Sequence, residues 1–126
     1  MIEKNILIDG KETKLRCSAL LPRLYRAKFG RDMVTDMRQL AKAYKTANDP
    51  NLNEEERQEA AYKMLDLEIF ENVAWLMQKT AGGEVGESPE EWLDNLDGIF
   101  SVYEVMPAIL ELWAASNKTT SEPRKK

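Results

Sequence analysis

The 126-residue chain contains no histidine. That removes the usual general base near neutral pH, the Ser-His and Cys-His nucleophile pairs, and the commonest metal ligand. A single cysteine, Cys17, excludes an internal disulfide and a zinc cluster. It lies in a short strand pattern and reads as a small core residue. No apolar run approaches the roughly 18–20 residues of a membrane span, and the polar start Met1-Ile2-Glu3-Lys4-Asn5 does not resemble a signal peptide. The glycines of Ala81-Gly82-Gly83-Glu84-Val85-Gly86-Glu87 lack the Gly-Lys-Ser/Thr of a phosphate loop and follow no strand, so this segment reads as a flexible loop. No internal repeat is present. These absences point away from an enzyme, a cofactor, a metal and a membrane, and towards a cytosolic protein.

What is present is enough for one core. Hydrophobic residues make up 43% of the chain, sufficient for a single domain of this length. The net charge of −4 conceals an asymmetry. Residues 1–50 carry 11 Lys/Arg against 6 Asp/Glu, residues 51–115 carry 3 against 15, and residues 116–126 carry 4 against 1. Such a split favours head-to-tail self-association or a charged partner, or an attraction between the two halves within one fold.

The longest helical signal runs from about Glu54 to Lys79. Asn53 and Glu56 make a capping box at its start, and the apolar residues from Met64 to Met77 occupy more than one face, the mark of a buried helix. The pattern predicts one central helix of roughly 40 Å. Asp66, Glu68, Glu71 and Asn72 interrupt its apolar surface and read as a solvated seam or inter-helix hydrogen bonds.

Ahead of it, Asn5-Ile6-Leu7-Ile8 and Thr13-Lys14-Leu15-Arg16-Cys17 flank Asp9-Gly10, a hairpin signal spanning residues 5–17. A two-residue loop pairs Ile8 with Lys11 and Ile6 with Thr13. A four-residue loop, Asp9 to Glu12, pairs Ile8 with Thr13 and Ile6 with Leu15, with Cys17 on the same face. The four-residue loop is the expected register, because it gathers apolar residues on one side. Pro22 then opens a short helix ended by Gly30, with Leu21, Leu24, Tyr25 and Phe29 inward. Asp32 caps a second helix, about Met33 to Thr46, striped by Met33, Met37, Leu40 and Tyr44.

Ala47 to Asn51 reads as a loop. Ser88-Pro89-Glu90-Glu91 starts a short helix reaching Asp97. Ser101-Val102-Tyr103-Glu104 opens a last helix to about Ala115, with Pro107 imposing a kink or a later start. Residues 116–126 read as a disordered basic tail. The expected fold is therefore mainly α: a small single domain, residues 1–115, of about five helices with an N-terminal β-hairpin. Trp75, Trp92 and Trp113 each lie on an apolar stripe and read as core, and one on an exposed patch would become the first anchor for a partner.

Two short helices meeting at Gly30 with several arginines also fit a helix-turn-helix DNA reader. Against that, the second helix offers Thr35, Asp36, Arg38 and Gln39 in place of a basic face, and the chain as a whole is acidic.

Four segments carry a resemblance. They are Ile8-Asp9-Gly10-Lys11-Glu12 with Lys14-Leu15-Arg16; Pro22-Arg23-Leu24-Tyr25-Arg26 with Phe29-Gly30-Arg31-Asp32; Phe70-Glu71-Asn72-Val73-Ala74-Trp75-Leu76-Met77; and Glu91-Trp92-Leu93 with Tyr103-Glu104-Val105-Met106-Pro107 and Ile109-Leu110-Glu111-Leu112-Trp113. In order and spacing, over about residues 5–115, they resemble the tail assembly chaperones of long-tailed phages and prophages of Gram-positive bacteria. The resemblance implies a non-enzymatic factor in the cytoplasm of the bacterial host. Such a factor binds the long, aggregation-prone tape measure protein, and is displaced as tail tube protein polymerises. It also implies a longer form made by frameshifting, for which Lys125-Lys126 fits an A-rich slippery run. It implies no catalytic, cofactor or metal residue.

A client surface is expected on the basic, aromatic first helix: Arg23, Tyr25, Arg26, Phe29 and Arg31. Apolar grooves there would hold amphipathic client helices, many copies acting through avidity. The alternative for these residues is plain core for Tyr25 and Phe29 and a solvated face for the arginines. Two other functions fit the chain: a ring-forming tail or head-tail component using the hairpin edge as a homo-oligomer, and a small DNA-binding regulator.

Overall fold

The computed structural model describes residues 2–64, 66–98 and 103–117. Strands β1 (Ile2–Ile8) and β2 (Lys11–Cys17) form an antiparallel hairpin. Its turn has two residues, so Ile8 pairs with Lys11 and Ile6 with Thr13, against the expected four-residue loop. Asp9 and Gly10 both have positive φ, 54° and 77°. A tight hairpin turn needs that pair of left-handed residues, and Asp-Gly adopts it readily. Side-chain facing could not separate the registers: they differ by two residues, which leaves every side chain on its face.

Helix α1 (Leu21–Phe29) has Pro22 in its first turn and ends at Gly30, whose φ of 68° and N–H bond to the Arg26 carbonyl close the C-terminus. Helix α2 (Met33–Ala47) is capped by Asp32, whose carboxylate accepts from the Val34 N–H and the Thr35 hydroxyl. Met33, Met37 and Leu40 are buried and Tyr44 is half-buried against the core. The first two helices thus follow their patterns.

The expected central helix is two helices, α3 (Glu54–Met64) and α4 (Leu67–Thr80). Asp66 makes the break. Its backbone is extended (φ −96°, ψ 102°) and its carboxylate accepts from the Glu68 and Ile69 N–H groups. A short carboxylate gains more by capping a new helix than by continuing an old one. The start of α3 matches its pattern: the Asn53 N–H donates to the Glu56 carboxylate, and the Glu56 N–H to the Asn53 side chain. Helix α4 is buried, with Ile69, Phe70, Val73 to Met77 and Gln78 all inside.

Around α4 pack β2, α1, α2 and α5 (Pro89–Asp94). Ser88 caps α5 by accepting the Glu91 N–H, and the helix ends at Asp94, short of the expected Asp97. A 3₁₀ turn at Tyr103–Val105 leads into α6 (Met106–Ser116), which lies on the hairpin. Pro107 sits in the first turn of α6, where a missing N–H costs nothing, so the helix takes the later start. The front of the expected capping box, Ser101-Val102, and the tail beyond Asn117 fall outside the described residues. Ser116, assigned to the tail above, ends α6. Splitting the central helix gives six α-helices among the described residues in place of five.

The segment from Ala81 to Glu87, expected to be flexible, is tied down. Val85 is buried, and its carbonyl accepts the Trp75 indole N–H at 3.2 Å. Lys79 Nζ donates to the Gly86 carbonyl and Lys28 Nζ to the Glu87 carbonyl. No helix among the described residues is long and apolar enough to cross a membrane.

Candidate functional site

The five residues picked out on and after α1 do not form one surface. Tyr25 is fully buried, and its hydroxyl donates to Asp36 Oδ2 at 2.8 Å. Phe29 is half-buried between Tyr25 and Trp75, with ring centroids 5.0 Å and 6.1 Å away, and Lys28 Nζ stands over the Trp75 ring. Arg31 turns back onto α2, with Nε to Asp36 Oδ2 at 2.7 Å and Nη2 to Oδ1 at 2.9 Å. Arg23 and Arg26 remain on the open face of α1. Tyr25 and Phe29 are therefore core, and Arg31 is a structural partner. Two arginines survive as a surface.

Asp36 was read as part of the outward face of α2, yet it is 2% exposed. Burial pushes its carboxyl up, but the hydrogen bonds from Arg31 and Tyr25, with the Arg31 charge, outweigh that and hold it below the usual carboxylate value. Burial, and then the hydrogen bond to Asp36, push the Tyr25 phenol up. The carboxylate is filled by three protein donors, an arrangement that braces the α1–α2 corner. The signal was available: Asp36 stands three residues after Met33 and four before Leu40, on the apolar stripe itself.

Among the tryptophans, Trp75 and Trp92 are buried and Trp113 is half-buried against the core. Cys17 is buried and its thiol is pushed up by burial, the reverse of what a reactive thiolate needs. Among the described residues, no three His, Cys, Asp or Glu side chains converge as a metal site.

The sequence reading missed a recess of about 550 Å³ between the hairpin and residues 81–96. Ile8, Val85 and Trp92 are among its apolar lining, and Lys11, Glu12 and Lys14 of β2 with Glu84 bring charges of both signs to it. Asp9 fastens the turn beside it, accepting from the Asp97 and Gly98 N–H groups at 2.9 Å and 3.1 Å. No local pattern announces this recess, because its walls come from three separate stretches of chain.

Compared with known proteins, the chain matches no family model, no curated protein and no solved structure.

Proposed function

We propose that this chain is a non-enzymatic tail assembly chaperone, which binds the tape measure protein and keeps it soluble in the bacterial cytoplasm until tail tube protein polymerises. One observation carries the reading. The four segments that resemble the chaperone family lie far apart in sequence yet pack as one body: Phe70 to Met77 form the buried α4, with β2, α1 and α5 against it and α6 on the hairpin. Segments that define a shared fold should meet in this way. The surface left for a client is the exposed Arg23 and Arg26 of α1 together with the recess beside β2.

Co-expression with the tape measure protein from the same genome, this chain carrying an affinity tag, tests the proposal. The expected result is a soluble large protein that co-purifies with several copies of the tagged chain, and loses them when Arg23 and Arg26 are both changed to Ala. A client equally soluble alone that never co-purifies would end the reading. Phe29→Ala is unsuitable as a surface probe, because Phe29 packs on Trp75.

A ring-forming tail component is the second reading, favoured by a two-stranded hairpin that pairs with no further strand among the described residues. It predicts a salt-sensitive oligomer of fixed size without any client. A DNA regulator predicts duplex binding at low salt that falls steeply as salt rises.

A further inference from the structure

Helix α2 gathers its outward cations on one face. At 3.6 residues per turn, Arg38, Lys42 and Lys45 fall within about 60° of one another, opposite the buried Met33, Met37 and Leu40. All three are exposed, and they span about 10 Å of helix axis. Among the described residues none of the three enters an ion pair.

The neighbouring acids are placed elsewhere. Asp36, the one acid within α2, is 2% exposed and its charge is met by Arg31. Its burial removes the carboxylate that kept this face from reading as basic in the sequence. Asp32 is exposed but caps the helix start, accepting from the Val34 N–H and the Thr35 hydroxyl. Helix α3 meets α2 through Glu54, Arg57 and Gln58, which share a small recess with Ala47. Ala47 lies roughly 140–180° round α2 from the three cations. Glu55, Glu56 and Glu59 lie about 100° or more round α3 from that meeting side.

We propose that the outward face of α2 binds the phosphate backbone of double-stranded DNA without reading its bases. A protein partner would want an aromatic or large apolar anchor, and protein interfaces are poor in lysine. Here the larger apolar residue is Val34, at the N-terminal end of the face and 44% exposed. A single strand would want aromatic rings on which to stack its bases, but Tyr44, the aromatic residue of α2, packs against the core. A duplex needs neither, since its interfaces are more polar and more positively charged than those between proteins. Each of its strands carries a phosphate about every 3.4 Å of axis, so a 10 Å stripe faces about three. Contacts to phosphates carry no sequence information. The inference stands apart from the chaperone reading, whose client surface includes Arg23 and Arg26 of α1 and none of these residues.

The test uses the full chain and a fluorescein-labelled DNA duplex of mixed sequence, followed by fluorescence anisotropy at several salt concentrations. Binding should be independent of sequence, and its logarithm should fall against the logarithm of salt with a slope of about −3, as three phosphate contacts require. The double variant Arg38→Ala/Lys42→Ala should weaken binding by about tenfold or more and bring the slope to about −1. Lys11→Ala/Lys14→Ala removes the same net charge from the exposed hairpin and should leave the affinity within about twofold. Circular dichroism establishes that each variant is folded. An unlabelled polyglutamate peptide of matched charge should displace the duplex poorly. Equal losses in the two double variants would show that net charge alone attracts the DNA, and would overturn the proposal. So would displacement by polyglutamate as readily as by unlabelled duplex, which would make the face a site for acidic protein, or no binding at about 0.02 M salt.

Discussion

Tyr25, Arg31 and Asp36 form a closed hydrogen-bonded triangle, and its members differ in what their removal leaves behind. Asp36→Ala strands the Tyr25 hydroxyl in a fully buried position, at a cost of about 2–3 kcal/mol. Arg31, half-exposed, returns to water and adds little of the larger penalty known for fully buried pairs. Tyr25→Phe should cost only about 1 kcal/mol, because Arg31 still serves the carboxylate. The double variant should then lose less than the two singles together, which urea unfolding measures; strict additivity would show that the hydroxyl bond carries no stability. The same carboxyl sets an acid dependence. Its folded value is depressed, so its contribution is complete above the unfolded carboxylate value of about 3.9 and drains away as pH falls through the lower folded one. Asp36→Asn should flatten that acid limb of the unfolding midpoint. Asp36 could have been found from its position on the Met33, Met37, Leu40 stripe. A charge there is either a mistake in the helix phase or a buried partner, and the phase was right.

Elements were legible where one or two neighbouring residues decide them. Asp32, Ser88 and the Asn53–Glu56 pair all cap where their sequences place them, because a cap is a local contact between a side chain and an N–H two or three residues on. The division of α3 from α4 was not legible from periodicity, since apolar residues continue through it and conceal the one capping aspartate. Asp66→Ala separates the two pictures by sign. In a continuous helix it would raise stability by about 0.5 kcal/mol, alanine being the better helix former. As the N-cap of α4 it should lower stability by about 1 kcal/mol. Urea midpoints at unchanged slope decide between them. The hairpin teaches a related lesson. Facing fixes register only against one-residue slips, so the choice between two and four loop residues belonged to the Asp9-Gly10 turn chemistry from the start.

At the scale of the whole molecule, the charge split raises the question of what joins a basic first half to an acidic second. Lys4 pairs with Glu111 between β1 and α6, but both side chains are more than a third exposed. Lys28, Lys79 and Arg16 spend their charge largely on backbone carbonyls of the 80–87 region, which are neutral acceptors. The joining surface is instead apolar: Leu15 and Cys17 of β2, Leu21 and Tyr25 of α1, and Phe70, Val73 and Met77 of α4 are all essentially inaccessible. Exposed ion pairs are worth at most about 1 kcal/mol each and are screened by salt, whereas apolar burial is not. Raising sodium chloride from about 0.05 M to about 0.5 M should therefore change the unfolding free energy by less than about 1 kcal/mol. A loss of several kcal/mol would mean that attraction between the halves holds the fold, and would leave little charge for a partner. A small change leaves the exposed Arg23 and Arg26 able to set the charge of whatever the chain binds. Helical spacing already places Leu21, Leu24, Tyr25 and Phe29 on the inner side of α1, and the burial of Tyr25 and half-burial of Phe29 bear that out while Arg23 and Arg26 stay exposed.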